Sequence, residues 1–291
     1  MKKNTPAELI LNPDGTIYHL GVTAAALSSC ILTVGDPERV ASVTAHFDHI
    51  EMEHHKREFT IVTGSYKGKR LTVLSTGMGT DNIDIVLNEL DAIFNINLEN
   101  GTPKIKITPL TIIRLGTSGS IQPDIPVDTL LLSQYAVGID ALLQFYPPPK
   151  PLAFSDAVAT YFKTQFDLAS PYTIEGSAAL LKHFQAPAVH TGVTITHPGF
   201  YGPQGRQLRT PIRYPKWIDQ LQAFKWKDNR LTNFDMETAG IYALAEHLGH
   251  RALAVNALLA NRATGVFSTQ AEATIERMIK YVLEACTTLP D

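Results

Sequence analysis

The stretch TIIRLGTSGS, residues 111–120, is the segment from which the fold class can be inferred. Its first half, Thr111–Gly116, is an apolar run rich in β-branched residues, which predicts a buried strand. Its second half consists of small residues and glycines, which predict a turn at the carboxyl end of the strand. Apolar runs of strand length also occur at Ile31–Gly35, Thr129–Val137, Val189–Thr196 and Ala252–Ala260. Such runs are typical of a sheet that helices cover on both faces.

Segments with helical periodicity alternate with these strands. In the clearest one, Thr80–Phe94, apolar residues recur at spacings of three and four and therefore share one face. The other predicted helices are Pro37–Phe47, Asp156–Phe166, Glu175–Phe184, Met236–Leu248 and Ala271–Cys286. Phe59–Tyr66 and Leu71–Thr76 flank a turn and predict a hairpin. The alternation predicts an α/β protein with a mixed, largely parallel sheet, in a single domain over residues 1–291.

Composition excludes several classes of function. Of the 291 residues, 44% are hydrophobic and 18% are charged, which is the composition of a globular protein with a sizeable core. Lys and Arg number 25 against 28 Asp and Glu, so the net charge is -3 and no nucleic acid is expected as a partner. The amino terminus lacks the apolar segment of a signal peptide, and no apolar run approaches the ~18–20 residues of a membrane span.

Metal chemistry is not expected either. Cys30 and Cys286 show no metal-binding spacing, and we predict that they are reduced thiols of a cytoplasmic protein. The sequence contains no HExxH, GxSxG or GxxxxGK[ST] motif, and its ten histidines are scattered. These absences predict neither a metal site nor a serine hydrolase.

Arg114 is the strongest candidate for a functional side chain, because it ends an apolar run and a buried guanidinium needs a partner. The turn predicted at Gly116–Gly119 would place it at the carboxyl end of a strand, where α/β sheets bind ligands. Together with the Thr117 hydroxyl and the N–H groups of that turn, Arg114 suits a phosphate. A structural pair with a carboxylate explains the same residue equally well, and both interpretations stay open.

Two glycine-containing turns are weaker candidates. In GDPER at 35–39, a strand end opens a helix, and Arg39 lies in the first turn, where the helix dipole disfavours a cation. A bound anion would explain Arg39, but a plain N-cap by Asp36 is the interpretation that the turn alone favours. GMGT at 77–80 hints at a dinucleotide loop, yet Asn82 replaces the third glycine, so a tight turn is favoured.

Polar residues in two other segments suit a sugar and a base. Asp235-Met236-Glu237 begins a predicted helix, where the carboxylates either satisfy the dipole or accept hydrogen bonds from a sugar diol. Phe200–Pro215 is rich in Gly, Pro and Arg and is predicted to be a mobile active-site loop or a connector. Within it, Gln204 and Arg206 match the edge of a base, and an aromatic residue can cover a ring face. Solvent exposure is the alternative for both side chains.

In their order along the chain, short motifs resemble the nucleoside phosphorylase family and, within it, the uridine phosphorylase branch. They are YHLGVT at 18–23, VGDPER at 34–39, REF at 57–59, STGMG at 75–79, RLGTSGSIQP at 114–123, FYGPQGR at 200–206, DMET at 235–238 and NR at 261–262. The resemblance implies an α/β fold, a three-layer-like sandwich around a mixed, distorted barrel-like β-sheet. It also implies that uridine and phosphate are converted to uracil and ribose 1-phosphate.

The resemblance assigns three groups of site residues by position. Phosphate would be held by Gly35, Arg39, Arg114 and Thr117, with Arg57 from a neighbouring subunit. Ribose would be bound by Met236, Glu237 and the neighbouring subunit's His19, and the base by Phe200, Gln204, Arg206 and Arg262. The catalytic residues would be Arg114, Thr117 and Glu237. The implied partners are nucleoside and phosphate, without cofactor, metal or membrane, in a homo-oligomer that is at least a dimer with shared sites.

Three features depart from the pattern of this branch. Asp235 replaces a glutamate, and Asn82 replaces a serine of an intersubunit potassium site. Asn95–Pro109, a predicted surface loop, is longer than in bacterial members, so dimer and hexamer stay open. A purine nucleoside phosphorylase or nucleosidase of the same fold is one alternative, although Ala260–Ala263 lacks the aspartate typical of those branches. A non-catalytic nucleoside-binding protein is another.

Overall fold

The strand predicted at Thr111 lies near the middle of the main sheet in a computed structural model, which describes residues 3–290. The strands are β1 (Cys30–Val34), β2 (His49–Lys56), β3 (Phe59–Tyr66), β4 (Lys69–Ser75), β5 (Ile96–Asn97), β6 (Thr102–Pro103), β7 (Thr111–Ser120), β8 (Leu130–Gly138), β9 (Tyr172–Glu175), β10 (Val189–Thr196), β11 (Lys225–Trp226), β12 (Asn229–Asp235), β13 (Arg251–Asn261) and β14 (Val266–Phe267). The helices are α1 (Pro37–Thr44), α2 (Thr80–Asn95), α3 (Ala153–Gln165), α4 (Ala178–Phe184), α5 (Trp217–Gln222), α6 (Thr238–Leu248) and α7 (Ala271–Thr287).

The main sheet has twelve strands and closes on itself. Its order is β11-β12-β10-β8-β13-β7-β1-β4-β3-β2, with β9 on β8 and β14 on β13. Because β7 also pairs with β12 through Gly119 and Ser120, the strands β12, β10, β8, β13 and β7 form a distorted ring. Parallel pairs join β1 to β4 and β7, β7 to β13, and β10 to β8 and β12, whereas β2-β3-β4 and β8-β13 are antiparallel. The predicted mixed α/β architecture is confirmed.

Strand β7 continues through the glycines that predicted a turn. Gly116 stays opposite Asn256 of β13, and Ser118 stays opposite Leu258. The predicted turn is wrong, because β13 pairs with all four residues and β12 pairs with Gly119, so tertiary pairing overrides a local preference. Arg114 therefore lies inside a strand and not at its end.

Other differences have local causes. The unpredicted β2 is a polar edge strand with mostly exposed residues, and β12 buries the polar Thr232 and Asn233, so neither shows apolar alternation. The predicted helix Glu175–Phe184 is strand β9 followed by α4, which begins after the N-cap Ser177. The predicted loop Asn95–Pro109 contains the short hairpin β5-β6.

Helices cover both faces of the sheet. Ile112 packs in the cluster that contains α2 and α6, whereas its neighbour Ile113 packs in the cluster that contains α1, α4 and α7. The predicted apolar face of α2 is confirmed, because Ile83, Leu87 and Leu90 are fully buried, each stabilising the fold by about 1.5–3 kcal/mol. No helix among the described residues is both long and apolar enough to cross a membrane.

Candidate active site

Arg114 fits into β7 because a glycine leaves room beside it. Its backbone is in register with Thr33 of β1 and Ala254 of β13, and its side chain is buried. A Cβ atom on Gly116 would lie 1.7 Å from Nη1 of Arg114. Only glycine at position 116 therefore lets the guanidinium lie along the strand. Gly116 contributes to the site by leaving space for the Arg114 side chain to pass close to the backbone.

Two carboxylates and an amide surround this guanidinium. Nη2 donates to Glu237, and Nη1 donates to Oδ1 of Asn256 at 3.2 Å and lies 3.6 Å from Oδ2 of Asp235. Burial alone would lower the pKa of Arg114, but the charges of Glu237 and Asp235 outweigh it and raise the pKa. The structural pair that the sequence left open is therefore present. A guanidinium has five N–H donors, so the pair leaves capacity for a bound anion.

The two carboxylates between β12 and α6 have different tasks. Oδ1 of Asp235 accepts from the Thr196 hydroxyl at 2.7 Å, and Oδ2 accepts from the Thr238 N–H at 3.1 Å. Asp235 thus caps α6, which begins two residues later than predicted. Oε1 of Glu237 accepts from the Gly79 N–H at 2.9 Å, while Oε2 meets the buried arginine. The Asp235 side chain thus satisfies an N–H at the start of α6, whereas the Glu237 side chain makes no capping hydrogen bond.

The glycine loop after β4 touches the loop after β1. Gly77 and Gly79 have φ angles of 69° and 94°, where side chains other than glycine are strained. A Cβ atom on Gly35 would lie 3.5 Å from the Gly77 carbonyl oxygen. The tight-turn interpretation of this motif is confirmed, and the turn delivers the Gly79 N–H to Glu237.

Arg39, in the first turn of α1, is a half-buried cation. The Asp36 side chain caps this helix by accepting from the Glu38 N–H at 2.9 Å, as predicted. The guanidinium of Arg39 makes no hydrogen bond or close ion pair with any described residue. Burial, and next the charge of Arg114, lower the pKa of Arg39. Two arginines that repel each other across a partly buried space suit a shared anion.

The remaining residues predicted to bind phosphate or ribose lie in different settings. Thr117 is half-buried in β7, and its hydroxyl has no hydrogen-bond partner in the described part of the chain. Met236, which lies between Asp235 and Glu237 in the sequence, is half-buried. Arg57 is exposed in the turn between β2 and β3, with a φ of 56°, and its Nη2 lies 3.4 Å from the Tyr18 hydroxyl.

The predicted base-binding residues come together at the 3-10 turn Gly202–Gln204. Nη1 of Arg206 donates to Oε1 of Gln204 at 2.6 Å and to the Phe200 carbonyl at 2.7 Å, and the guanidinium lies 3.7 Å from the centre of the Phe200 ring. Nη1 of Arg262 donates to the Gln204 carbonyl at 3.0 Å. We call Phe200, Gln204, Arg206 and Arg262 the base cluster.

The base cluster is strongly cationic. Burial, and next the charge of Arg262, lower the pKa of Arg206 to about 10, and burial lowers the pKa of Arg262. Neither guanidinium contacts a carboxylate of residues 3–290. Such a site stabilises a group on which negative charge develops. Gly119 joins the cluster to β7, because a Cβ atom there would lie 3.4 Å from Cγ of Arg262.

His197, which the sequence analysis did not single out, lies behind the base cluster. It is fully buried, with ring centroids 4.5 Å from Phe234 and 6.0 Å from Trp217. Its Nδ1 lies 3.2 Å from the Ile195 carbonyl and therefore carries the proton, and its buried Nε2 has no partner among the described residues. Burial, with the charges of two arginines, lowers the pKa of His197 to about 3. Its position directly after a buried strand is the feature of the sequence that could have identified it as a candidate site residue.

This histidine predicts acid-sensitive folding. An unfolded histidine titrates near pH 6.5, whereas the pKa of folded His197 is about 3. Below pH 6.5 the unfolded state therefore binds more protons, and the free energy of unfolding falls by about 2 kcal/mol between pH 6.5 and 5. His197→Asn keeps a donor for the Ile195 carbonyl but cannot titrate, so its urea unfolding at pH 7 and 5 should show a smaller difference. Equal pH dependence of both proteins would contradict the prediction.

His19 is bound to α2 of its own chain. Its Nδ1 lies 2.6 Å from Oε1 of Glu89, and its ring meets the Tyr18 ring edge-on at 4.8 Å. The guanidinium of Arg57 lies 5.4 Å from the centre of the same Tyr18 ring. His19 and Arg57, both expected to act in a neighbouring subunit, therefore contact the same tyrosine ring. Within the described chain, neither contacts Arg114 or the base cluster.

A cavity of about 710 Å³ adjoins the base cluster through Arg206. Its wall is mostly apolar and includes Pro198, Tyr201 and Trp217, but neither Arg114 nor Glu237 lines it. It therefore lies beside the charged centre formed by Arg39, Arg114, Asp235 and Glu237, and not in it. Within residues 3–290, no group of three or more His, Cys, Asp or Glu side chains is placed to hold a metal ion.

Comparison with known proteins finds similarity over most of the chain. A family model described as the phosphorylase superfamily matches residues 29–287. The uridine phosphorylase of Thermococcus kodakarensis is 30% identical, over 94% of this chain and 87% of that protein, and that of Haemophilus influenzae is 26% identical, over 94% and 98%. A solved Trypanosoma brucei nucleoside phosphorylase that shows uridine phosphorylase activity superposes with a TM-score of 0.87 at 29% identity, over 97% of this chain and 100% of that chain. The matched region contains every residue of the charged centre and of the base cluster.

Proposed function

The chain belongs to the phosphorylase superfamily, and from that membership and the geometry of its site we propose that it phosphorolyses uridine to uracil and ribose 1-phosphate. Similarity to uridine phosphorylases over most of the chain supports this substrate. The reaction needs an anionic nucleophile held near C1′, a stabilised ribosyl cation and a leaving base whose developing charge is neutralised.

Phosphate would lie between Arg39 and Arg114. Arg39 is a partly buried cation that forms no close ion pair among residues 3–290, and Arg114 lies near enough for their charges to interact. The Gly35 backbone and the unpartnered Thr117 hydroxyl supply further donors, and the neighbouring subunit's Arg57 would complete the set. Arginines bind phosphate in a fork, which orients one oxygen for attack on C1′.

Ribose would bind at Glu237. An ionised carboxylate has about four lone-pair positions, so Glu237 can accept from the 2′- and 3′-hydroxyls while it keeps Arg114 and the Gly79 N–H. Its charge also stabilises the cation that develops at C1′. The Met236 backbone would add a contact to the sugar, and the neighbouring subunit's His19 would meet the 5′-hydroxyl.

Uracil would bind in the base cluster. When the N1–C1′ bond breaks, its electron pair passes to the base, and the charge spreads onto the carbonyl oxygens before N1 takes up a proton. Arg206 would donate to one carbonyl, and the Gln204 amide offers both a donor and an acceptor to the imide edge. Arg206 already donates a hydrogen bond to Gln204. Binding of the base would replace this hydrogen bond with hydrogen bonds from both side chains to the base. Phe200 would cover the ring, and Arg262 holds the loop from behind.

A single observation carries this proposal: β7 runs beneath both halves of the site. Arg114 in this strand meets Glu237, and Gly119, five residues further, packs against Arg262 of the base cluster. One rigid strand thus fixes the spacing between the phosphate and ribose region and the base region. Reacting groups held by such elements gain rate through positioning without a covalent intermediate.

The alternative purine substrate is disfavoured by Asn261. Its amide donates to the carbonyls of Gln122 and Ile125, each at 2.9 Å. Its Oδ1 accepts from the N–H groups of Ala263 and Thr264, each at 3.0 Å. The side chain is therefore occupied in holding the turn after β13. This segment offers no acid that could protonate a purine.

The proposal also covers assembly, cofactors and location. His19 and Arg57 lie outside the charged centre of their own chain, which supports at least a homodimer with shared sites. Phosphate is a co-substrate, and the proposed chemistry uses no cofactor or metal. Cys30 and Cys286 are both buried, and the small number of cysteines in the sequence supports the cytoplasm as the compartment.

A phosphate-dependent ultraviolet assay tests the proposed function. We expect kcat/KM for uridine to exceed that for inosine by at least ~10², because a site built for an imide edge rejects a base that leaves its polar groups unpaired. Omission of phosphate should abolish turnover, and EDTA should leave it unchanged. Faster turnover of inosine would favour the purine alternative. Binding of uridine without turnover would favour the non-catalytic alternative.

A further inference from the structure

One carboxylate of α2 holds the segment that carries His19. Oε1 of Glu89 lies 2.6 Å from Nδ1 of His19, and the His19 backbone N–H donates to both Glu89 oxygens at 3.0 and 3.1 Å. The Leu20 N–H donates to Oε2 at 2.8 Å. The Glu89 side chain is 13% exposed, so these hydrogen bonds form in a largely buried place. Three N–H groups of two residues thus converge on one side chain.

The contact decides which nitrogen of His19 carries the proton. An ionised carboxylate only accepts hydrogen bonds, so the proton must lie on Nδ1. In the neutral ring, Nε2 is then a lone-pair acceptor. It makes no hydrogen bond with a described residue, and the side chain is 27% exposed. In this neutral form, His19 presents an acceptor of fixed direction at the surface.

The rest of the segment is held as well. Nζ of Lys56 donates to the Tyr18 carbonyl at 2.6 Å and to Oδ1 of Asn12 at 2.9 Å. The Asn12 amide donates to the Ile17 carbonyl at 2.7 Å. The backbone on both sides of His19 is thus fixed before any ligand arrives. Such fixing reduces the entropy lost on binding.

We propose that Glu89 is a positioning residue for recognition of the 5′-hydroxyl of the nucleoside. It holds the imidazole in the Nδ1–H tautomer and so makes Nε2 the acceptor of the 5′-hydroxyl proton in the neighbouring site. A carboxylate that fixes a histidine through its other nitrogen is a recurring arrangement in functional sites. This inference rests on the proposed function, because it takes the substrate to be a nucleoside.

The test removes the carboxylate charge and the 5′-hydroxyl, separately and together. In Glu89→Gln, one carboxylate oxygen becomes an NH2 group that faces N–H donors, so the imidazole loses its fixed tautomer. We expect kcat/KM for uridine to fall about tenfold, and that for 5′-deoxyuridine, which has no 5′-hydroxyl, to change less than about twofold. Equal losses on both substrates would show a merely structural role and overturn the proposal.

Asp91→Asn is the matched control on the same helix. Asp91 accepts from the Asn95 amide at 2.7 Å and lies 3.3 Å from Nε2 of the buried His250, away from His19. Its variant should change the rates on uridine and 5′-deoxyuridine by the same factor. A loss confined to uridine in Asp91→Asn would overturn the specific role of Glu89.

Nitrogen-15 NMR of labelled histidine gives a readout that does not require the variant to fold. Wild-type His19 should show a protonated Nδ1 and an unprotonated Nε2, and a protonated Nε2 beside a bare Nδ1 would overturn the proposal. Failure of the proposed function has a different signature. Wild-type protein would then not phosphorolyse uridine at all, whereas uridine turnover with no preference over 5′-deoxyuridine would overturn only the role of His19 and Glu89.

Discussion

Arg114→Ala is expected to lower kcat/KM for uridine by more than about 10² and the free energy of unfolding by about 3–5 kcal/mol. The loss of activity follows from removal of a preorganised cation at the phosphate. The loss of stability follows from the two carboxylates of Asp235 and Glu237, which would stay buried without their counter-charge. Phosphorolysis rates and urea unfolding without ligand measure the two effects.

Arg39→Ala is the matched control for this prediction. Arg39 is proposed to bind the same phosphate but makes no close ion pair in the described chain, and burial lowers its pKa. Its removal should lower activity comparably while leaving the unfolding free energy almost unchanged. Phosphate should raise the melting temperature of the wild type but scarcely that of Arg39→Ala, because a ligand stabilises only the state that binds it. A large stability loss in Arg39→Ala, or retained stabilisation by phosphate, would remove Arg39 from the site.

The sequence predicted the strands and helices best where burial is periodic. The apolar face of α2, strand β10 and the end of α6 at Leu248 were predicted correctly because apolar spacing or an apolar run decides each of them. The prediction of a turn at Gly116–Gly119 was wrong because glycine is compatible with two different structures. A glycine permits a turn, but it also permits a side chain such as that of Arg114 to lie across a strand, and local sequence does not separate the two.

The site was predicted as residues and not as contacts. The order of the motifs predicted that the base cluster and Arg114 belong to one site. The carboxylates that pair with Arg114 depend on where β12 ends relative to β7, and only the tertiary structure determines that position. Glu89 and His197 were missed for the same reason. Glu89 lies 70 residues from His19 in the sequence, and His197 is defined by burial among aromatic rings. Neither belongs to a local pattern of residue types.

The charge balance of the site supports the proposal that a second subunit contributes a cation. The charged centre of one chain already combines two arginines with Asp235 and Glu237, so the cations only balance the carboxylates before a phosphate dianion arrives. A further cation from outside, such as the neighbouring subunit's Arg57, would offset the added negative charge. Arg57 is exposed, and among residues 3–290 its guanidinium contacts Tyr18, with 3.4 Å to the hydroxyl and 5.4 Å to the ring centre. It is therefore free of a strong local partner.

Mixing two inactive variants should restore activity if the sites are shared. Arg39→Ala alters a residue that the site takes from its own chain, and Arg57→Ala alters one that it takes from the neighbour. In a mixed dimer, the Arg57→Ala chain keeps its own Arg39 and receives an intact Arg57, so one of its two sites is wild type. Half of randomly exchanged dimers are mixed, so the mixture should recover about a quarter of wild-type activity, from roughly 1% for either variant alone.

Arg39→Ala mixed with Gln204→Ala is the control and should recover nothing, because a site takes both residues from the same chain. Recovery in that control would mean that Arg39 and Gln204 enter a site from different chains. No recovery with Arg57→Ala, despite exchange verified by mass spectrometry of labelled chains, would mean that each chain builds its site alone.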